Sequence, residues 1–537
     1  MRELFLGDEA VGVAAIDAGI SGAFSYPGTP ATEIFEFIQG RTAGDDKVAA
    51  RWSANEKVAY EEALGMSFVG KRSLVSMKHV GLNVAADPFI NSAITGAHGA
   101  LVLAVADDPG MHSSQNEQDS RYYAQFAQIP VFEPCNQQEA YDMTREAFEL
   151  SERLGLPVMV RLVTRLAHSR AAVTRSEPSE VSTGINVVPD TRDWTLLPVN
   201  ARRRFRRLLD LQESLREASA SSPYNHLTLR GPKGILASGI AHSYVREVVG
   251  PDSTFSLLKI GTYPIAVDLV RKLLSHCEEI LIIEEGYPLI ETQLNGLLGI
   301  PGKAIHGKRS GRLPLDGEIT AELVRAALGM APLETPAPAE GLPGRPPALC
   351  QGCPHCDTFK TILEAIDPDA KPILFSDIGC YTLGALPPYN AVHSCVDMGS
   401  SISMSLGAAK AGAHPVLCTI GDSTFTHSGM TPLIGAAHED ANMTLLILDN
   451  ATVGMTGGQD VFVTGDGFLR LLKGLGVNED HLVMFEPLQK NQEKNVELLR
   501  REINHHGLSV LVACRPCIHV KRRVGGQKAA TAAPVPA

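Results

Sequence analysis

The densest chemistry in this sequence lies between residues 416 and 459. An apolar run over 416–420 ends in Gly421-Asp422-Ser423, and a second over 443–448 ends in Asp449-Asn450. A parallel strand that stops at Gly-Asp delivers a carboxylate to the sheet edge where open α/β folds bind ligands. The next strand delivers the Asn450 amide oxygen to that same edge. One carboxylate, one amide oxygen and a backbone carbonyl make the hard oxygen set that Mg²⁺ takes when it also holds diphosphate oxygens and water. The Thr456-Gly457-Gly458-Gln459 turn lets backbone approach the phosphates closely. A lone Gly-Asp marks turns everywhere. Two strand ends with 26 residues between Ser423 and Asn450 form a more specific signal.

That spacing resembles the thiamin-diphosphate signature, Gly-Asp-(Gly/Ser) followed after such an interval by Asn. Thiamin diphosphate needs a carboxylate against its aminopyrimidine ring to favour the imino tautomer that removes the C2 proton. In this cofactor class the glutamate comes from the first helices of a separate α/β domain. Ser53-Ala-Asn-Glu56-Lys-Val-Ala has that look. On local sequence alone, Glu56 is an acid favoured in a first helical turn by the helix dipole.

Those groups need a frame. The first 170 residues alternate short apolar strands with longer helical stretches. Residues 22–26 lead into the turn Tyr26-Pro-Gly-Thr-Pro30, whose prolines forbid a continuing helix. Residues 55–69 have helical spacing, and 73–77, 101–105 and 157–162 read as buried parallel strands. Residues 171–232 read as an irregular polar connection, with the basic run 202–207 a solvated helix face. A second α/β unit covers 233–330, with strands at 234–238, 255–259 and 280–284. Six prolines within 331–347 mark a linker. A third unit runs over 348–520, and 521–537 read as a flexible tail. The expected fold is α/β, in three layered units.

Several blocks then become specific. Tyr26-Pro-Gly-Thr-Pro30, Met77-Lys-His-Val-Gly-Leu-Asn83, Asp107-Asp-Pro-Gly-Met-His-Ser-Ser-Gln-Asn-Glu-Gln-Asp-Ser-Arg121 and Asp377-Ile-Gly-Cys-Tyr-Thr-Leu-Gly384 are similar to the α subunit of indolepyruvate:ferredoxin oxidoreductases. So are Cys350-Gln-Gly-Cys-Pro-His355 and Gly421-Asp-Ser-Thr-Phe-Thr-His-Ser-Gly429. The chain thus resembles the 2-oxoacid:ferredoxin oxidoreductase superfamily. The resemblance implies a pyrimidine-binding domain over 1–170, a transketolase C-terminal-like domain over 233–330 and a diphosphate-binding domain over 348–520. It implies oxidative decarboxylation of an aryl-type 2-oxoacid, with coenzyme A taking the acyl group and electrons leaving through iron–sulfur clusters. It also assigns roles. Asp422, Asn450 and the backbone of Thr452 would ligate Mg²⁺, and Gly28, Gly421, Ser423, Thr456, Gly457 and Gln459 would contact the cofactor. Glu56 would activate the ring. Thr29 and Arg121 would contact the 2-oxoacid, an arginine fork on its carboxylate being chemically sensible. His79 and His112 are candidates for proton handling near C2.

The ten cysteines are too sparse for a disulfide scaffold, so their spacing carries the information. Cys350, Cys353, Cys380 and Cys517 resemble positions that hold a [4Fe–4S] cluster beside the thiamin in parts of the superfamily. Four thiolates suit such a cluster and equally suit zinc. Cys356 and Cys514 are close enough to be alternative ligands, Cys395 is unassigned, and Cys135, Cys277 and Cys418 read as core residues. The family's α subunit usually carries a further ferredoxin-like domain with Cys-x-x-Cys-x-x-Cys runs, and the sequence holds none after Cys517. The expectation is that electrons leave through ferredoxin or another redox subunit. A smaller β/γ-type subunit and a homodimer within a heteromeric complex are implied likewise.

Composition bounds the rest. The 537 residues carry 48 Lys+Arg against 60 Asp+Glu, a net charge of −12, with 44% hydrophobic and 20% charged residues. That excludes wholesale disorder and disfavours a nucleic-acid or membrane-surface partner, both of which need a basic footprint. No apolar run reaches the ~18–20 residues of a membrane span, and a cytoplasmic enzyme is expected. The rival readings are a thiamin-dependent decarboxylase without redox chemistry, which needs no cluster, and a non-catalytic scaffold, which needs no complete metal and ring-activating set. Water rather than coenzyme A as acyl acceptor stays open.

Overall fold

Strands buried at every position build the two large sheets. In the computed structural model, which describes residues 2–182, 184–186, 191–334, 341–344, 346–367 and 369–520, Ser73–Lys78, Leu101–Asp107 and Val158–Val163 are buried throughout. Continuous burial rather than alternation is what a parallel strand shows when helices cover both faces. The chain divides into two units, Met1–Ala337 and Pro338–Ala537.

The first unit holds two mixed sheets and a small ribbon. A seven-stranded sheet has the order Thr262–Tyr263, Val131–Phe132, Val158–Val163, Leu101–Asp107, Ser73–Lys78, Gly22–Ser25, Ala49–Trp52. All its pairs are parallel except that of Thr262–Tyr263 with Val131–Phe132. One face packs on Tyr60, Phe89 and Ala63, the other on Ala14, Tyr141 and Phe148. A five-stranded sheet runs Ala304–His306, Glu279–Ile283, Lys233–Ser238, Ser256–Ile260, His226–Thr228. The two sheets share one unit because Thr262–Tyr263, following the second sheet's Ser256–Ile260, crosses to form the edge of the first. With the ribbon of Arg2–Leu6 and Arg170–Thr174 and the sheet of the second unit, the described residues form four sheets.

The stretch 171–232 is more ordered than its polarity suggests. Arg170–Thr174 pairs antiparallel with Arg2–Leu6, and Pro198–Ser221 is a 24-residue helix. The basic run lies on that helix and divides in two. Arg202, Arg203 and Arg206 are exposed. Arg204 is buried and donates to the carbonyls of Ile94 and Thr95, at the end of the helix Ala86–Thr95, while Arg207 donates to the carbonyl of Leu154, which ends Gln137–Leu154. Guanidinium groups there satisfy carbonyls that a helix end leaves unpaired and complement its negative pole.

The second unit is one six-stranded parallel sheet, in the order Ser394–Cys395, Ile373–Ser376, Val416–Gly421, Met443–Asp449, Leu508–Cys514, Leu482–Phe485. Val416–Gly421 and Met443–Asp449 are adjacent, with Gly421 opposite Leu448. The described residues of 331–347 carry neither helix nor strand; the tail expected over 521–537 lies outside the described residues. Among the described residues no helix is long and apolar enough to cross a membrane.

Candidate functional site

In the second unit, the paired strand ends put Asp422 and Asn450 side by side. Asp422 Oδ1 accepts from the Ser423 N–H at 2.7 Å, and Oδ2 accepts from those of Asn450 and Ala451 at 3.1 and 2.8 Å. Burial pushes the Asp422 carboxyl up to about 7, with Asp449 adding to it and the three backbone donors opposing. Among the described residues it makes no ion pair with Lys, Arg or His, and its three hydrogen bonds all come from backbone N–H groups. A buried carboxylate supplied with dipoles but no cation fits a metal ion. Asn450 Oδ1 accepts from the Thr452 N–H at 3.1 Å, and its Nδ2 donates to His355 Nε2 at 3.2 Å. Burial lowers His355 to about 4, so the imidazole stays neutral and can accept. His355, to which the sequence motif assigns no role, therefore orients the Asn450 amide.

The loop after Asn450 closes on itself. Ala451 takes a left-handed backbone (φ 61°), Thr452 Oγ1 donates to the Gln459 carbonyl, and Thr456 Oγ1 donates to Gln459 Oε1. Gly457 and Gly458 have φ of 122° and 93°, a region L side chains rarely adopt. Beside them is a cavity of about 480 Å³ lined by Thr452, Gly454, Gly457, Gly458, Cys517 and His519, among others. Donor chemistry and glycine-lined space both suit a diphosphate with its cation.

The cysteines gather around this loop. Burial, with Cys356, Cys380 and Cys350 adding, pushes the Cys353 thiol up to about 12, while burial, Cys517 and Cys350 push Cys380 up to about 11. Cys380 thus lies within electrostatic reach of Cys350, Cys353 and Cys517. The Cys517 N–H donates to the Asn450 carbonyl at 2.8 Å, tying Cys517 to the strand end that carries Asn450. Cys514 is turned elsewhere, its Sγ donating to Asp449 Oδ2 at 3.3 Å, and Cys395 donates to the Asp377 carbonyl. Cys135, Cys277 and Cys418 are buried.

In the first unit, the turn after Gly22–Ser25 and the end of Ser73–Lys78 meet around Glu56. Asn55 caps the helix Glu56–Phe68 by accepting from the Val58 N–H at 2.9 Å, which sets Glu56 in the first turn. Glu56 is buried over Gly81. The Gly28 N–H donates to Thr32 Oγ1 at 3.0 Å, and the half-buried Thr29 accepts from Ser113 Oγ at its carbonyl. His79 is buried, with Nε2 3.2 Å from the Asn116 carbonyl and Nδ1 without a hydrogen-bond partner; burial lowers its pKa. His112 is largely exposed and lies 3.2 Å from Glu318 Oε2.

Two arginine and lysine positions change roles. Arg121, expected to fork a substrate carboxylate, is buried with every N–H engaged. It donates to Asp119 through Nε and Nη2, to the carbonyls of Glu285 and Tyr287 through Nη2, and to Tyr263 through Nη1, which also pairs with Glu284 at 3.1 Å. It is the hub of an internal ion network spanning both sheets of the first unit, and no donor is left for a ligand. Lys78 carries the unspent charge instead. Its stem lies across Gly28, where an added Cβ would meet Cδ at 3.1 Å, and its Nζ donates to the Ser113 carbonyl at 3.1 Å. Burial lowers Lys78 to about 8, while Asp108 and Glu56 favour its charged form. The signal available in sequence was a lysine closing an apolar strand inside a matching block.

Two family models match the chain. Residues 13–190 match "pyruvate flavodoxin/ferredoxin oxidoreductase, thiamine diphosphate-binding", and residues 377–475 match "thiamine pyrophosphate enzyme, C-terminal TPP binding domain". Indolepyruvate oxidoreductase subunit IorA of Archaeoglobus fulgidus is 37% identical over 548 residues, covering 96% of this chain and 86% of that one. The IorA of Methanothermobacter thermautotrophicus is 37% identical over 97% of this chain and 88% of its own. A solved 2-oxoglutarate:ferredoxin oxidoreductase from Magnetococcus marinus, with 2-oxoglutarate, coenzyme A and succinyl-CoA bound, is 16% identical with a TM-score of 0.49 over 61% of this chain and 65% of that one.

Proposed function

The chain belongs to the indolepyruvate oxidoreductase IorA-subunit family, and from that premise we propose that it is the catalytic subunit of a thiamin-diphosphate-dependent 2-oxoacid oxidoreductase acting on arylpyruvates such as indolepyruvate. The observation that carries the reading is the buried Asp422 carboxylate beside Asn450, held by three backbone N–H groups and, among the described residues, in no ion pair with Lys, Arg or His. In this reading Asp422, Asn450 and the Thr452 carbonyl hold Mg²⁺ on the diphosphate, and Gly421, Ser423, Thr456, Gly457 and Gln459 surround it. Bound thiamin diphosphate supplies a nucleophilic carbon and the electron sink that decarboxylation requires.

The remaining work falls to side chains. Glu56 holds the proton at the aminopyrimidine ring, in a buried position where it is shielded from water. Lys78 would take the substrate carboxylate as a point charge, with Gly28 and Thr29 beside it and His79 available to the proton at the keto oxygen. The net reaction converts the 2-oxoacid anion and the coenzyme A thiol to acyl-CoA, CO₂, one proton and two electrons; Cys350, Cys353, Cys380 and Cys517 would hold a [4Fe–4S] cluster that relays those electrons one at a time to a ferredoxin-type acceptor. The relatives are named as subunits, which supports a multi-subunit complex; a smaller partner subunit, a ferredoxin-type acceptor and a cytoplasmic location belong to the same proposal.

The test is the visible spectrum of anaerobically purified protein. A broad iron–sulfur band that bleaches on adding indolepyruvate is expected. It should be lost in Cys350→Ser and Cys380→Ser but kept in Cys418→Ala, whose sulfur is buried in the core. A colourless protein that still releases CO₂ from indolepyruvate would replace this reading with a non-oxidative decarboxylase.

A further inference from the structure

Asp8, Glu33 and His168 are involved in none of this chemistry, yet their ligand atoms all lie within 4.8 Å of one another. They arrive from three segments: Asp8 from the first turn of the helix Gly7–Asp17, Glu33 from that of Thr32–Arg41, and His168 from the residue ending the short helix Thr164–Ala167. Asp8 is fully buried, and neither of its carboxylate oxygens has a hydrogen-bond partner. Glu33 Oε2 is also buried without one, although His168 Nε2 stands 3.4 Å away. A bare carboxylate in the interior, with a second carboxylate beside it, is strongly disfavoured unless a cation or a proton answers it.

We propose that Asp8, Glu33 and His168 bind a divalent cation of the zinc class. Two carboxylate oxygens and one imidazole nitrogen match zinc's preferences, whereas Mg²⁺ and Ca²⁺ take oxygen donors. Zinc–nitrogen and zinc–oxygen bonds of about 2.0–2.2 Å place tetrahedral ligands roughly 3.3 Å apart, and the Glu33–His168 separation of 3.4 Å is already there. His168 lies at the surface and gives the ion its way in. The ion would tie the first helix and the end of Val158–Val163 to the helix that begins directly after the Thr29–Pro30 turn. It therefore acts as a staple behind Thr29, and its existence does not depend on the proposed reaction.

The test is zinc retention by the full-length chain as purified, incubated with zinc, desalted and measured by elemental mass spectrometry. Wild type should keep about one zinc per chain more than Asp8→Asn and His168→Gln. Zinc held elsewhere, on the cysteines for instance, cancels in the difference. His168→Gln alters a surface residue, so it decides the matter even if Asp8→Asn fails to fold. Equal zinc in wild type and His168→Gln overturns the proposal and leaves Asp8 and Glu33 sharing a proton.

Discussion

Glu56 lies so close over Gly81 that a Cβ at position 81 would stand 2.7 Å from Glu56 Oε1. The helix Glu56–Phe68 and the helix His79–Val84 thus meet at a point where only a hydrogen fits. Any larger residue at 81 would displace the carboxylate that the proposed reaction needs.

Glu56→Gln should keep the fold and the cofactor site while turnover falls by about 10²–10⁴, the range ascribed to a positioned acid–base group. Steady-state rates with indolepyruvate, compared with thiamin-diphosphate binding, provide the check. An active Glu56→Gln enzyme would remove ring activation from Glu56.

Lys78 should show itself in the pH profile. Its pKa is lowered to about 8, so the cation is present below that pH and lost above it. If it holds the substrate carboxylate, kcat/KM falls as pH rises through about 8, and Lys78→Met raises KM by roughly 10–100-fold while removing that limb. The linkage has the opposite sign for stability. Between about 8 and the ordinary lysine value the unfolded chain binds a proton that the folded one does not, so stability rises with pH there.

Asp422→Asn keeps the shape of the strand end and removes the charge. Affinity for thiamin diphosphate with Mg²⁺ should fall by at least about a hundredfold, since even outer-shell partners of a metal cost 10–100-fold. Titration calorimetry gives the number, and unchanged affinity would move the metal away from this edge.

Arg121→Met separates the two roles considered for that residue. As the hub of a buried network, its loss leaves Asp119 and Glu284 without their cation and should cost about 3–5 kcal/mol of stability, read by denaturant unfolding. A substrate fork would instead raise KM at unchanged stability.

Much of this was legible locally. The strands Val416–Gly421 and Met443–Asp449 stand out as apolar runs ended by Gly-Asp and Asp-Asn, and adjacent parallel strands bring such ends to one edge by construction. Asn55 before Glu56 is a capping residue before a helical stretch, so the position of that glutamate in the first turn followed from nearest neighbours. The helix over Pro198–Ser221 was less legible because its burial depends on carbonyls of two other helices, reached by Arg204 and Arg207.

The sequence by itself determined which residue types stand at strand ends, since chain spacing and backbone geometry settle that within a few tens of residues. Only the tertiary structure decided which charges are spent. Arg121 looked available as a cation, but it is enclosed by Asp119, Glu284 and carbonyls brought from over 160 residues away, while Lys78, to which the sequence motif assigns no role, donates to one carbonyl, that of Ser113. The same holds for Asp8, Glu33 and His168, which no motif connects. Charge in a folded protein is balanced over distance in space, and a linear chain does not reveal which of its acids and bases will be neighbours.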